Sequence, residues 1–140
     1  MKKIFSLLIL LSLSILNAHS KMDTIKNWQL YKDKIIILKS NTSETITKTC
    51  LINLKEKFKQ LSINVFQDTG REAKGIVIQV IVKNHIMKRY SCFCKQNESF
   101  IINYEDIINL LKKNINKEIT LKYIDETDIK GFEIGKIKII

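Results

Sequence analysis

The hydrophobic positions of this chain alternate over most of its length, and alternation with period two is the mark of strands with one buried face. "NWQLYKDKIIILKSN" reads as a hairpin in which Trp28 and Leu30 share a face and Lys32-Asp33-Lys34 supplies the turn before Ile35 to Leu38. "TITKTCLINL" places Ile46, Cys50 and Ile52 on a common face, and "LSINVF" adds a strand with Ile63 and Val65 together. "DTGREAKG" is the natural loop, where Gly70 and Gly75 tolerate dihedrals that other residues resist. In "GIVIQVIVKNHIMKRYSCF", Ile76, Ile78, Val80 and Val82 line one side while Val77 and Ile81 make the other partly apolar. Such a strand belongs inside a sheet. A turn near Lys83-Asn84-His85 returns the chain through Ile86 to Phe93, and "SFII" extends that strand or starts another.

At Asn103 the period changes. Tyr104, Ile107, Ile108, Leu111 and Ile115 follow helical spacing, so a helix is expected near residues 104–114. Asn103 and Asp106 have the spacing of a capping box, and Lys112 and Lys113 suit the negative end of the helix dipole. Two strands close the chain. Ile119, Leu121 and Tyr123 form an inward series in "EITLKYI". In "KGFEIGKIKII", Phe132 and Ile134 have one parity and Ile137 and Ile139 the other, which calls for a bulge around Gly135-Lys136. Eight or nine strands with one helix predict a mainly β fold, a two-layer β-sandwich; a partly open β-barrel is the alternative.

The first twenty residues break this pattern. Lys2 and Lys3 precede an apolar run, Ile4 to Leu16, interrupted only by serines, and "NAHS" follows with small residues at Ala18 and Ser20. This is the layout of a secretory signal peptide, and the run is short against the roughly 20 residues of a membrane span. The expectation is a signal peptide at 1–20 and a single β-rich domain at 21–140, exported to the periplasm or cell exterior, with no transmembrane segment after cleavage. The formal charge is +10 overall and +8 without Lys2 and Lys3. The lysines are dispersed among apolar and acidic residues, and no finger, basic arm or phosphate loop is present, so no nucleic-acid partner is expected. An unknown protein or an acidic envelope polymer fits the charge better.

Candidate chemistry centres on "HIMKRYSCFC". His85, Met87, Cys92 and Cys94 are suitable metal ligands, but on a regular strand Cys92 and Cys94 face away from His85 and Met87. Cys50 completes a thiolate-rich alternative with Cys92 and Cys94. In an oxidising compartment a disulfide of Cys50 with Cys94 or Cys92 is expected, because a regular strand holds Cys92 and Cys94 about 6.6 Å apart with parallel Cβ directions. Cys-x-Cys also lacks the spacing of the common Cys-x-x-Cys redox motif. Ser91, Asp68, Glu72 and His85 are of the types a hydrolase uses, but no nucleophile elbow surrounds any serine. The acidic clusters "YED" and "DETD" suit caps, turns and lysine pairing, and Trp28 and Tyr31 suit packing more than sugar stacking. No catalytic residue and no cofactor is assigned.

The order of a "WQLYKDKIIILKSN" hairpin, a "LSINVFQDTGREAKGIVIQVIVKNHI" strand pair, "SFIINYEDIINLL" and a closing strand pair resembles small secreted β-sandwich-like proteins of Bacteroidetes-type bacteria, whose function is uncharacterised. The resemblance implies export and a sandwich-like shape and carries over no site residues. The functional expectation is an exported, non-enzymatic binding or envelope-assembly module. The alternative is a thiol-dependent or metal-binding protein using the three cysteines.

Overall fold

The computed structural model describes residues 25–66, 74–95 and 98–140. The expected signal peptide and most of the "DTGREAKG" loop, with Gly70, Asp68 and Glu72, lie outside the described residues. Within them the chain forms strands β1 (Asn27–Lys32), β2 (Ile35–Asn41), β3 (Thr49–Ile52), β4 (Gln60–Phe66), β5 (Lys74–Val82), β6 (His85–Cys94) and β7 (Phe100–Asn103). Helix α1 (Tyr104–Lys113) and strands β8 (Glu118–Asp125) and β9 (Asp128–Ile139) follow. One sheet has the order β2-β1-β4-β7 and the other β3-β9-β8-β5-β6. Neither closes on itself, so the fold is the two-layer sandwich and not a barrel.

The alternation read from the sequence is what fills the space between the layers. Trp28, Leu30, Leu61, Ile63, Phe100 and Ile102 point inward from the four-stranded sheet. Ile76, Ile78, Val80 and Val82 meet them from β5, and Ile119, Leu121 and Tyr123 from β8. Each fully buried side chain of this size stabilises the fold by about 1.5–3 kcal/mol relative to exposure. The Trp28 indole N–H donates to the Ile134 carbonyl at 2.6 Å, a buried hydrogen bond that ties one sheet to the other. Phe132 lies between two rings, tilted against Trp28 at 4.6 Å and stacked on Tyr123 at 5.0 Å between centroids. The Lys26 ammonium lies over Phe132 and that of Lys74 over Tyr123.

The expected bulge in β9 is present. Leu121 pairs with Gly135 and Lys122 with Glu133, so Ile134 is the extra residue. Ile134 and Gly135 are consecutively buried, and Ile137 and Ile139 regain the core. Three local expectations are corrected. Ile46 precedes β3 and is 79% exposed, because the strand begins only at Thr49. Asn103 makes no side-chain cap bond, since it is still paired with Gln60 as the last residue of β7. The Tyr104 amide is satisfied instead by the Lys59 carbonyl at 2.8 Å. Ile115 leaves the helical face because α1 ends at Lys113 and Asn116 turns the chain at φ 64°.

The β5–β6 hairpin turns through Lys83 and Asn84, with φ of 48° and 64° and Val82 paired to His85. Two positive values in a two-residue loop define the turn that matches strand twist, and asparagine or glycine is the usual first residue. Lysine carries a Cβ penalty there. Lys83→Asn is expected to stabilise the protein by about 0.5 kcal/mol, read as a higher urea midpoint at unchanged slope.

Candidate functional site

Strand order decides the cysteine question. Cys50 lies on β3 and Cys92 and Cys94 on β6, the two opposite edges of the five-stranded sheet. Three strands separate them, a span of about 19 Å at the usual strand spacing. The expected bond from Cys50 to Cys94 or Cys92 is therefore corrected: Cys92 and Cys94 are bonded to each other, with Cα atoms 5.7 Å apart, and Cys50 is a free, buried thiol. The same separation rules out a site using all three sulfurs. β3 pairs in parallel with β9, the chain's last strand, a long-range pairing that the local sequence does not announce.

Burial pushes the Cys50 thiol up to about 11, and its Sγ approaches the Lys136 carbonyl at 3.5 Å. At pH 8 it is expected to resist iodoacetamide in the folded protein and to react at the ordinary rate once urea unfolds it. Peptide mapping after alkylation checks this.

The expected opposition of His85 and Met87 to the cysteines also changes. Val80 pairs with Lys88 and Ile81 with Ile86, which leaves Met87 as a bulge residue. The bulge shifts the parity, and His85 comes to lie across from the inward residue Val82, on the cysteines' side. Seven positions of strand still keep it roughly 20 Å from Cys92. Among the described residues no group of three or more His, Cys, Asp or Glu side chains converges to hold a metal ion. Ser91 and His85 are exposed on β6 and Trp28 is buried. The Tyr31 hydroxyl donates to Gln29, so Trp28 and Tyr31 form no open stacking platform.

Around the cysteine pair, β6 is the free edge of its sheet. Cys94 is buried, Cys92 is half-buried, and Phe93 between them is 74% exposed. The inner side of β6 is strapped to the helix: the Lys88 ammonium and Tyr90 hydroxyl both donate to the Asp106 carbonyl, at 2.8 and 2.9 Å. Burial first, then the neighbouring Asp106 charge, push the Tyr90 phenol up to about 12, so it stays a donor at any physiological pH. The disulfide joins residues two apart in one strand and links no two elements. Its loop is so short that the chain-entropy contribution is only about 1.5 kcal/mol.

On the opposite side of the sandwich both sheets end, among the described residues, in unpaired edges, β2 and β3. Between them runs a groove of about 590 Å³ lined by Ile36, Ile37, Leu38, Lys39, Lys48 and Thr49. Ile37 is a bulge residue, since Leu30 pairs with Leu38 and Tyr31 with Ile36. That extra residue leaves Ile35 and Ile36 both exposed, at 65% and 47%. The Lys48 ammonium bridges the seam, donating to the Lys39 carbonyl at 3.1 Å and pairing with Glu44 at 2.8 Å. Nothing in the sequence pattern marks this groove, because it is made by two strands that meet only through the packing of two sheets.

The "DETD" turn is structural. One carboxylate oxygen of Asp125 accepts from the amides of Thr127 and Asp128 and from the Thr127 hydroxyl, and the other pairs with Lys74 at 2.6 Å. Asp128 pairs with Lys26 at 3.1 Å. Among the described residues no helix is long and apolar enough to cross a membrane. No protein-family model matches the chain, and no curated protein matches it.

Proposed function

We propose that this protein is an exported binding or envelope-assembly module that takes an extended segment of a partner protein along the β2–β3 groove. The observation that carries the reading is the pair of strand edges, unshared among the described residues, that flank one groove of mixed apolar and polar lining. Free backbone groups at a strand edge give affinity to an extended peptide, and side-chain pockets give selectivity. Ile36, Ile37 and Leu38 offer apolar contacts, while Lys39 favours an acidic residue in the partner. The signal-like start of the chain and the resemblance to small secreted β-sandwich proteins support the exported setting, periplasmic or extracellular.

A photo-crosslinking amino acid placed at Ile36, in cells that make the protein naturally, tests this. The expected result is one discrete protein adduct that disappears when Lys39→Glu is added. An adduct from Lys122, in the outward row of the five-stranded sheet, with none from Ile36 would sink the reading. Intact mass of the protein recovered from the cell envelope should correspond to a chain beginning at Lys21.

A further inference from the structure

We propose that Cys92 and Cys94 form a reversible thiol–disulfide exchange couple that oxidises a peptide dithiol. Two observations converge on the pair. The bond spans a single residue within β6 and holds no two elements together, so opening it leaves the register of β6 on β5 to the backbone ladder that already fixes it. The couple sits at a sheet edge with Cys92 half-buried against the rim of the core and Cys94 buried, so Cys92 is the more accessible of the two to an incoming nucleophile and Cys94 is the leaving group.

The exchange proceeds in two displacements. A thiolate of the partner dithiol attacks Cys92 Sγ; the Cys92–Cys94 bond breaks, and Cys94 leaves with the electron pair and takes a proton from solvent. The partner's second thiol then loses its proton and attacks the partner sulfur of the mixed disulfide, expelling Cys92 as a thiolate that is protonated in turn. The protein gains two electrons and two protons, and the partner dithiol becomes a disulfide. Cys50, at the far edge of the sheet, takes no part. The couple lies across the molecule from the β2–β3 groove, so Lys39→Glu leaves the exchange unchanged and the two proposals fail independently.

The test uses the full chain, air-oxidised and folded, incubated with a reduced peptide carrying two cysteines. One equivalent of peptide disulfide is expected per chain, with alkylation appearing at Cys92 and Cys94 and not at Cys50, and with Trp28 fluorescence unmoved. Oxidised glutathione restores the closed pair. Cys94→Ser is expected to retain one glutathione as a mixed disulfide on Cys92, and the double variant Cys92→Ser/Cys94→Ser to stay folded and oxidise no peptide. A pair that opens only in denaturant, a double variant that unfolds, or free thiols at both positions in the air-oxidised protein would each overturn the proposal.

Discussion

Asp125→Ala is expected to cost about 3–5 kcal/mol of stability, the range for removing one member of a buried ion pair. The Asp125 side chain has no exposed surface, and its two oxygens hold Lys74, two turn amides and a hydroxyl. Alanine would strand the Lys74 ammonium against the Tyr123 ring and leave the β8–β9 turn without its acceptor. Asp125→Asn retains an acceptor oxygen for the turn and loses only the charge, so about half that loss is expected. The pH dependence has a defined sign. Burial pushes the carboxyl up, but the Lys74 ammonium and the Thr127 hydroxyl and amide together outweigh it and hold it well below the usual carboxylate range. A depressed folded value means that the stabilisation is present above the unfolded value, about 3.9, and is lost as pH falls below it towards the folded value. Urea midpoints measured from pH 7 down to pH 3 should therefore fall for the natural protein. They should fall less steeply for Asp125→Asn, whose position 125 carries no titrating group. Equal slopes would show that other carboxyls dominate the acid loss.

That turn also shows where sequence reading stops. The inward series of β5 and β8, the change of period at Asn103 and the parity break in β9 are local patterns, and the structure has a strand, a helix and a bulge at those places. They were legible because burial on one face dictates residue type at a fixed spacing, whatever the rest of the chain does. The Lys74–Asp125 pair is not of that kind. Its members stand 51 positions apart, and nothing near either one signals the other.

The cysteines divide in the same way. Strand parity placed Cys92 and Cys94 on one face, but the pairing of Cys50 depended on which strands neighbour which. The parallel pairing of β3 with β9 sends Cys50 to the edge away from β6. Parity itself failed at His85, because the extra residue at Met87 resets the alternation and nothing in "HIMK" departs visibly from a regular strand. The groove between β2 and β3 was hidden for a third reason. It belongs to the packing of one sheet on the other, and its Ile36, Ile37 and Leu38 look in sequence like any strand that faces a core.

The second large effect is expected at Gly131, for a reason independent of charge. Its φ of +65° lies in the left-handed region, and its amide donates to Asp128 at 2.9 Å, which fixes the start of β9. A Cβ built there would run into the Tyr123 carbonyl oxygen and stand 2.6 Å from Ile124 Cγ1. The first obstacle is backbone in the adjoining strand, which no rotamer change removes. Gly131→Ala thus combines a left-handed penalty of about 1–2 kcal/mol with overpacking of a further 1–3 kcal/mol. A total near 3 kcal/mol should lower the melting temperature by roughly 10–15 °C. Gly135 supplies the comparison. Its Cβ would press on Leu38 and lie 3.1 Å from the Lys48 carbonyl, but without a left-handed backbone and with a side chain as the nearest obstacle. Gly135→Ala is therefore expected to lose less, about 1–2 kcal/mol, as Leu38 turns aside. Calorimetry of the two variants distinguishes the causes: a larger loss at Gly135 than at Gly131 would mean that β9 moves away from β8 and relieves the backbone collision.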